Sequence, residues 1–278
     1  MTKESLAVVI GAGGMGAAIA ATLSRDHAVL LADIDAARAE QRAAALRSEG
    51  RTATAACCDV TSAESVYALA AMVGERGGFR VLAHVAGMSP SMAAFDAIMR
   101  VNLLGPARVA QALLPFAQPG AAAIVIASLG AHLVAVPPPV AAVLREHATQ
   151  DDISERLRAE LGEDAATSDL AYQLSKFGVL MLCRREAARW AERQARILSV
   201  SPGLIATPMG AREWETNAAK RRLAAMAPLK REGRLDEISE VVAFLASDRA
   251  SFITGTDVLI DGGLAGAISD VSFGGGSI

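Results

Sequence analysis

Along the 278 residues, short aliphatic and β-branched runs alternate with longer Ala-rich stretches whose apolar positions recur at helical spacing. The runs at 6–10, 28–32, 52–57, 80–85, 122–127, 196–200 and 257–260 read as strands. The stretches near 14–25, 35–49, 62–75, 92–117, 170–193 and 235–246 read as helices. Leu6-Ala7-Val8-Val9-Ile10 is apolar at every position rather than at alternate ones, so both faces of that strand must be covered. Buried strands each followed by a helix pack as a parallel sheet between two helical layers. The expected fold is a single α/β domain, a doubly wound parallel sheet of about seven strands with ligands at the carboxyl ends of the strands.

Two segments fall outside the alternation. At 137–168 a Pro137-Pro138-Pro139 break leads into charged sequence with helical potential, read as an insertion. The tail at 264–278 ends in Gly274-Gly275-Gly276 and is expected to be poorly ordered. No repeat or linker divides the rest, so residues 1–278 form one domain. The uncharged stretch 6–23 has the length of a membrane span, but glycines at 11, 13, 14 and 16 interrupt it, and Lys3 and Glu4 cancel ahead of it. It reads as strand, turn and helix, not as a membrane or signal segment.

Composition refines this picture. An apolar share of 52% with only 4% aromatics implies a core of Ala, Val, Leu and Ile. A net charge of -3 gives no electrostatic reason to expect nucleic acid or an anionic membrane as a partner. Lys220-Arg221-Arg222 is a short basic run, read as a solvated helix face. The three cysteines, Cys57, Cys58 and Cys183, show no metal-ligand spacing and are read as buried apolar thiols. Adjacent Cys57 and Cys58 would point to opposite faces of a strand and cannot pair, so the protein is expected in the reducing cytoplasm.

The first strand runs into Gly11-Ala12-Gly13-Gly14-Met15-Gly16, a G-x-G-x-x-G that opens a helix. Glycines suit a tight turn whose backbone must approach a pyrophosphate, and the helix N-terminus adds free N–H groups and a positive dipole end. This is a Rossmann-type dinucleotide signature. Asp33, 17 residues after Gly16, can accept hydrogen bonds from the adenosine ribose and would repel a 2′-phosphate. The next basic residue is Arg38, so NAD is expected over NADP. Asp35 is better placed as the cap of the following helix.

The sharpest chemical signal is Tyr172-Gln173-Leu174-Ser175-Lys176 in a helical context. Residues four apart share a helix face, so phenol and ammonium point into one site. A free tyrosine, with a pKa of ~10, is a poor base at neutral pH, and a neighbouring ammonium favours its phenolate.

Taken in order, these motifs are similar to those of the short-chain dehydrogenase/reductase family over 8–263. Ser128, closing Ile124-Val125-Ile126-Ala127-Ser128, resembles the family's catalytic serine, and Asn102 its catalytic asparagine. Cys58-Asp59-Val60-Thr61 resembles the adenine-contacting segment, and Ala86-Gly87 the second half of N-N-A-G. Pro202, Gly203, Ile205 and Thr207 fall in a loop that resembles the one holding the nicotinamide carboxamide. Ile253-Thr254-Gly255 and Asp261-Gly262-Gly263 match the closing strand. The resemblance implies that Tyr172 is the acid/base and that Lys176 lowers its pKa and binds the nicotinamide ribose. It further implies that Ser128 holds the substrate oxygen, and that Asn102 holds a helix backbone and a relay water. It implies a small alcohol or carbonyl substrate, no metal, and a homodimer or homotetramer.

Three departures stand out. Only two residues separate Gly11 from Gly14, one fewer than the family's usual loop. His84-Val85 occupies the place of two asparagines, and another group must satisfy the backbone they would brace. Ser128 and Tyr172 stand 44 positions apart, far more than in most relatives. Bacterial 3α-hydroxysteroid dehydrogenase/carbonyl reductases resemble the chain in carrying extra residues there. The insertion is expected to be a substrate lid, a cover over the helices through which relatives pair, or a plain surface elaboration. Met88, Leu129, Leu133, Val134, Met209 and Trp214 suggest a bulky apolar alcohol such as a hydroxysteroid. A catalytically silent NAD-binding sensor or scaffold of the same fold is the competing function.

Overall fold

Every strand must satisfy two cores at once, and β1 (Leu6–Ile10) shows how. Leu6, Val8 and Ile10 enter one apolar layer, while Ala7 and Val9 enter the other. A strand wanted on both faces is therefore apolar throughout, as its sequence is. The computed structural model describes residues 5–206 and 218–273. Its strands are β1, β2 (Ala28–Asp33), β3 (Ala53–Cys57), β4 (Phe79–His84), β5 (Ala117–Ile126), β6 (Arg196–Pro202) and β7 (Asp257–Ile260). They form one sheet in the order β3-β2-β1-β4-β5-β6-β7, parallel at every pairing.

The helices are α1 (Gly14–Leu23), α2 (Ala36–Ser48), α3 (Ala63–Glu75), α4 (Phe95–Met99), α5 (Gly105–Leu113) and α6 (Gly130–Leu133). They continue with α7 (Pro138–His147), α8 (Ile153–Leu161), α9 (Ser168–Ala191), α10 (Ala218–Met226), α11 (Leu235–Ala246) and α12 (Leu264–Phe273). The α1, α2 and α11 helices cover one face, with Ile19, Ala43 and Val242 in its core. The α3, α5 and α9 helices cover the other, with Leu69, Leu113 and Val179. Strand order reverses between β1 and β4, and that switch point opens a crevice at the carboxyl ends of the strands.

The expected elements stand with local differences. The helix expected over 92–117 is broken into α4, a π-helical turn over Arg100–Leu104, and α5. Pro106 has no N–H to give the Asn102 carbonyl four residues back, so the ladder widens there and Gly105 bonds Arg100 instead. β5 begins at Ala117, five residues earlier than its apolar run, because Ala117 pairs with Phe79 of β4 ahead of a register shift that spans Pro119 and Gly120. The residues after Gly263 form α12 rather than a loose tail, fastened by Asp261, whose carboxylate accepts from the Gly263 and Ala265 N–H groups. Gly274-Gly275-Gly276 lies outside the described residues. Cys58 and Cys183 are buried thiols as expected, but Cys57 is exposed.

The insertion is a helical hairpin with one face packed on the core. Val140, Leu144, Ala148, Ile153 and Leu157 are at most 1% exposed and join the layer that holds α9. Its charged side chains tie it to the same region. Arg158 bonds Asp96 at 3.1 Å and lies over the Phe95 ring, Arg108 of α5 bonds Asp151, and Arg185 of α9 reaches the Arg145 carbonyl at 2.9 Å. The hairpin thus packs its apolar side on the layer of α4, α5 and α9 and keeps its charged side in solvent.

Candidate active site

The glycine loop divides its work residue by residue. Gly11 has a φ of +104°, and a Cβ there would stand 2.6 Å from the Ala86 nitrogen. A Cβ on Gly16 would stand 1.7 Å from the Gly11 carbonyl oxygen. Those two positions allow the tight turn and the close approach of α1 to the strands. Gly13 and Gly14 are exposed, with no crowding contact at a Cβ, and leave backbone open to a ligand. Gly13 caps α1 without a side chain to occupy its first N–H groups, and no acidic residue stands in the first turn. The positive end of α1 thus faces a cavity of about 410 Å³.

That cavity brings together most of the residues expected to hold a dinucleotide: Gly11, Gly13, Gly14, Met15, Gly16, Asp33, Asp59, Val60, Ala86 and Gly87. Asp59 is turned inward on its own loop, accepting from the Thr61 N–H at 2.8 Å and the Thr61 hydroxyl at 2.7 Å. Asp33 is buried and accepts from Ala12 N–H at 2.6 Å, Asp35 N–H at 2.9 Å and the Arg38 guanidinium at 2.6 Å. Burial alone would raise its pKa, but the Arg38 bond and the two backbone donors hold the carboxyl below the usual carboxylate range. Asp35 caps α2, accepting from the Arg38 N–H. The glycine cradle, the open helix end and the anchored carboxylate fit an adenine dinucleotide.

A second cavity of about 310 Å³ adjoins the first, and both are lined by Met15, Val85, Gly87 and Met88. It adds Ser128, Tyr172, Lys176, Pro202, Gly203 and Ile205. Tyr172 and Lys176 project from one face of α9, and Ser128 follows the end of β5. A Cβ on Gly130 would lie 3.5 Å from the Tyr172 ring and 3.6 Å from the Ser128 hydroxyl, which shows how closely the three meet. Burial raises the Tyr172 phenol above its ordinary pKa, and the hydrogen bond with Ser128 works against that. The depression expected from Lys176 is absent in the protein by itself. The ammonium instead donates to the Ile126 carbonyl at 2.8 Å, and burial pulls its own pKa down to about 8.

Asn102 sits on the π-helical turn and clamps the strand-end loop from both sides. Its Oδ1 accepts from the Met88 N–H at 2.7 Å, and its Nδ2 donates to the Met88 carbonyl at 2.9 Å. Its side chain thus holds a loop backbone rather than a helix. Gly87 lies close beneath it, since a Cβ there would stand 3.2 Å from Asn102 Oδ1 and 3.5 Å from Lys176 Nζ. Where two asparagines were expected, the Ile10 carbonyl takes the N–H groups of both Val85 and Ala86 at 2.8 Å. His84 is 2% exposed, and its Nε2 has no hydrogen-bond partner among the described residues. Burial, with the Lys176 charge, drops its pKa to about 3, so the ring is neutral.

Gly203 donates to the Ile260 carbonyl at 2.9 Å, and Ile205 bridges to Gly233. Thr207, Met209 and Trp214 lie outside the described residues. Of the remaining apolar candidates only Met88 lines the catalytic cavity. Leu129 packs with Ala227 and Leu264, Leu133 is exposed, and Val134 leans on the main core. Sequence reasoning missed Arg38, Ile34 and Met92 as cavity residues, although Arg38 was visible as the next basic position. No residue of 137–168 lines either cavity, which does not favour the lid. Among the described residues no group of His, Cys, Asp and Glu is arranged to hold a metal, and no helix is long and apolar enough to cross a membrane.

The family model described as enoyl-(acyl carrier protein) reductase matches residues 10–146 and 157–265. A short-chain dehydrogenase/reductase of Alternaria brassicicola is 32% identical, with 96% of this chain and 98% of that protein covered. D-threitol dehydrogenase of Mycolicibacterium smegmatis is 32% identical, with 93% and 92% covered. Cis-4-hydroxycyclohexanecarboxylate dehydrogenase of Sinomonas cyclohexanicum is 32% identical, with 94% and 96% covered. Among solved structures, gox2181 superposes with a TM-score of 0.77 at 28% identity, covering 94% of this chain and 96% of its own. An actinorhodin polyketide ketoreductase with NADPH shares the fold at a TM-score of 0.73 and 24% identity, covering 95% and 98%. With this match running through the glycine loop, Ser128 and the Tyr172/Lys176 face, the chain belongs to the short-chain dehydrogenase/reductase family, nicotinamide-dependent oxidoreductases of alcohols and carbonyls.

Proposed function

We propose that this chain interconverts a secondary alcohol and its ketone, with NAD preferred over NADP. One observation carries the reading: the Tyr172 phenol, Ser128 hydroxyl and Lys176 ammonium converge on a cavity that opens into the glycine-lined one. A bound nicotinamide would supply the hydride acceptor or donor. The chain's own residues handle the proton and the oxygen. Tyr172 Oη exchanges the proton with the substrate oxygen, and the Ser128 hydroxyl holds that oxygen as charge develops. Lys176, buried beneath the site, binds the ribose, while Asn102 fixes the Met88 loop beside it.

The apolar walls from Met15, Val85, Met88 and Ile205 favour a bulky apolar alcohol such as a hydroxysteroid. The names of the two alcohol dehydrogenases among the relatives agree with a secondary alcohol in general. The protein is read as cytoplasmic and as a homodimer or homotetramer, with α7 and α8 covering α4, α5 and α9 against use as a pairing face. The silent-sensor reading is disfavoured because dinucleotide binding alone has no use for Tyr172 and Ser128.

The test is reduction of NAD with a panel of steroid, alicyclic and aliphatic alcohols, alongside Tyr172→Phe. Removing an acid/base of this kind lowers the rate by about 10²–10⁴-fold while NAD binding persists. Equal turnover in Tyr172→Phe would sink the assignment, and tight NAD binding without turnover on any alcohol would favour the sensor.

A further inference from the structure

The last strand of the sheet carries a buried carboxylate. Asp257 of β7 has a side chain only 4% exposed, and burying such a group is costly unless its oxygens are hydrogen-bonded. Oδ1 accepts from the Ser199 hydroxyl at 2.5 Å and the Ser201 hydroxyl at 3.0 Å, both on neighbouring β6. Oδ2 meets His132 Nε2 at 2.8 Å, and since a carboxylate only accepts, the ring nitrogen is the donor. None of these four side chains lines either cavity.

What they join is the turn that carries Ser128. His132 lies on α6, and the segment between is hydrogen-bonded as one turn. The Ala131 N–H bonds the Ser128 carbonyl at 3.0 Å, and the His132 N–H bonds the Leu129 carbonyl at 2.9 Å. The Ser128 hydroxyl itself accepts from the Gly130 N–H at 3.2 Å, so its place follows that turn. At the near end, the Leu129 N–H donates to the Pro202 carbonyl at 2.9 Å, next to the Ser201 that bonds Asp257. The circuit closes from Leu129 to β6, from β6 to Asp257, from Asp257 to His132 and back. His132 is the only residue of α6 with a polar side chain, and a helix of four residues does not hold itself.

We infer that His132 is a positioning residue for this site: through Asp257 it fixes the turn that holds the Ser128 hydroxyl against the Tyr172 phenol. The inference rests on the oxidoreductase reading proposed above and adds a residue to it. In that reading Ser128 holds the substrate oxygen, and misplacing such a group by about 1 Å costs up to about 10²-fold in rate. An anchor outside the cavity therefore bears on the chemistry inside it.

The test needs no substrate. The chain has two tyrosines, so isotope labelling at tyrosine Cζ gives two magnetic resonance signals that read the hydrogen bonding of each phenol. Tyr172→Phe tells them apart, and the exposed Tyr67 on α3 serves as internal reference. Ser128→Ala removes the Ser128–Tyr172 hydrogen bond and defines how far the Tyr172 signal moves. His132→Asn is too short to reach Asp257, whereas His132→Gln brings an amide donor to the place of Nε2. Both are polar, at a side chain 27% exposed, and should fold. The expected result is that His132→Asn moves the Tyr172 signal in the direction set by Ser128→Ala, while the Tyr67 signal stays. His132→Gln should return the Tyr172 signal to its unaltered position, and His132→Asn should add nothing in the Ser128→Ala background. The inference is overturned, with the oxidoreductase reading intact, by an unmoved Tyr172 signal in His132→Asn. Equal shifts in the Asn and Gln variants, or additive shifts in the double variant, overturn it in the same way. If Ser128→Ala itself leaves the Tyr172 signal in place, Ser128 and Tyr172 do not act together, and the oxidoreductase reading fails with the inference.

Discussion

Acidification should weaken this protein through a single buried ring. His84 is sealed at the end of β4 between Ile10 and Val125, its partners in register on β1 and β5. Burial first, and the nearby Lys176 charge second, drop its pKa from the ordinary 6.5 to about 3. The folded pKa lies below the unfolded one, and the charged form is the one that burial excludes. The stabilising contribution is therefore complete above 6.5 and is lost as the pH falls toward 3. Within that window the unfolded chain holds one more proton at this site, which costs about 1.4 kcal/mol per pH unit. From about pH 7 to about pH 5 the accumulated loss is about 2 kcal/mol. His84→Asn removes the titration and keeps a polar side chain. Unfolding free energies from urea denaturation at both pH values, for the unaltered protein and the variant, isolate the contribution because other groups titrate in both. The variant should lose about 2 kcal/mol less than the unaltered protein over this interval. Parallel pH dependences would show that His84 is hydrated or paired when folded, and the argument from its burial would be refuted.

Two further changes probe the framework. Gly16→Ala sets a methyl 1.7 Å from the Gly11 carbonyl, so the loop must shift. Adenosine 5′-monophosphate affinity should fall by more than about tenfold and stability by about 1–3 kcal/mol, seen by calorimetry and denaturation. Leu144→Ala empties a fully buried site between the inserted hairpin and the core. A loss of about 2–5 kcal/mol in unfolding free energy is expected, whereas a loss near zero would show that the hairpin is not packed on the core.

The parts legible in the sequence are those whose cause is local. Five unbroken apolar residues at 6–10 demand a strand covered on both faces, and a glycine cluster directly after it demands a turn. Tyr172 and Lys176 share a helix face at four-residue spacing wherever that helix lies. Other features depend on partners distant in the chain. Arg38 closes on Asp33 because Ala12, 21 positions upstream of Asp33, holds the carboxylate in place. His84 is neutral because of the strands beside it and Lys176 on α9, and nothing in its immediate sequence shows this. The hairpin concealed its burial behind many charges, yet Val140, Leu144 and Ala148 recur every fourth residue, a stripe that could have been read. Pro106 likewise carried a readable signal for the π turn at Asn102.

The central claim, direct hydride transfer at the Tyr172 site, is tested most directly by following isotope from a secondary alcohol deuterated at its carbinol carbon. The account expects the deuterium in the reduced nicotinamide, with none released to water, and transfer slowed by about 10²–10⁴-fold in Tyr172→Phe. Deuterium appearing in solvent, or transfer undiminished in Tyr172→Phe, would contradict it.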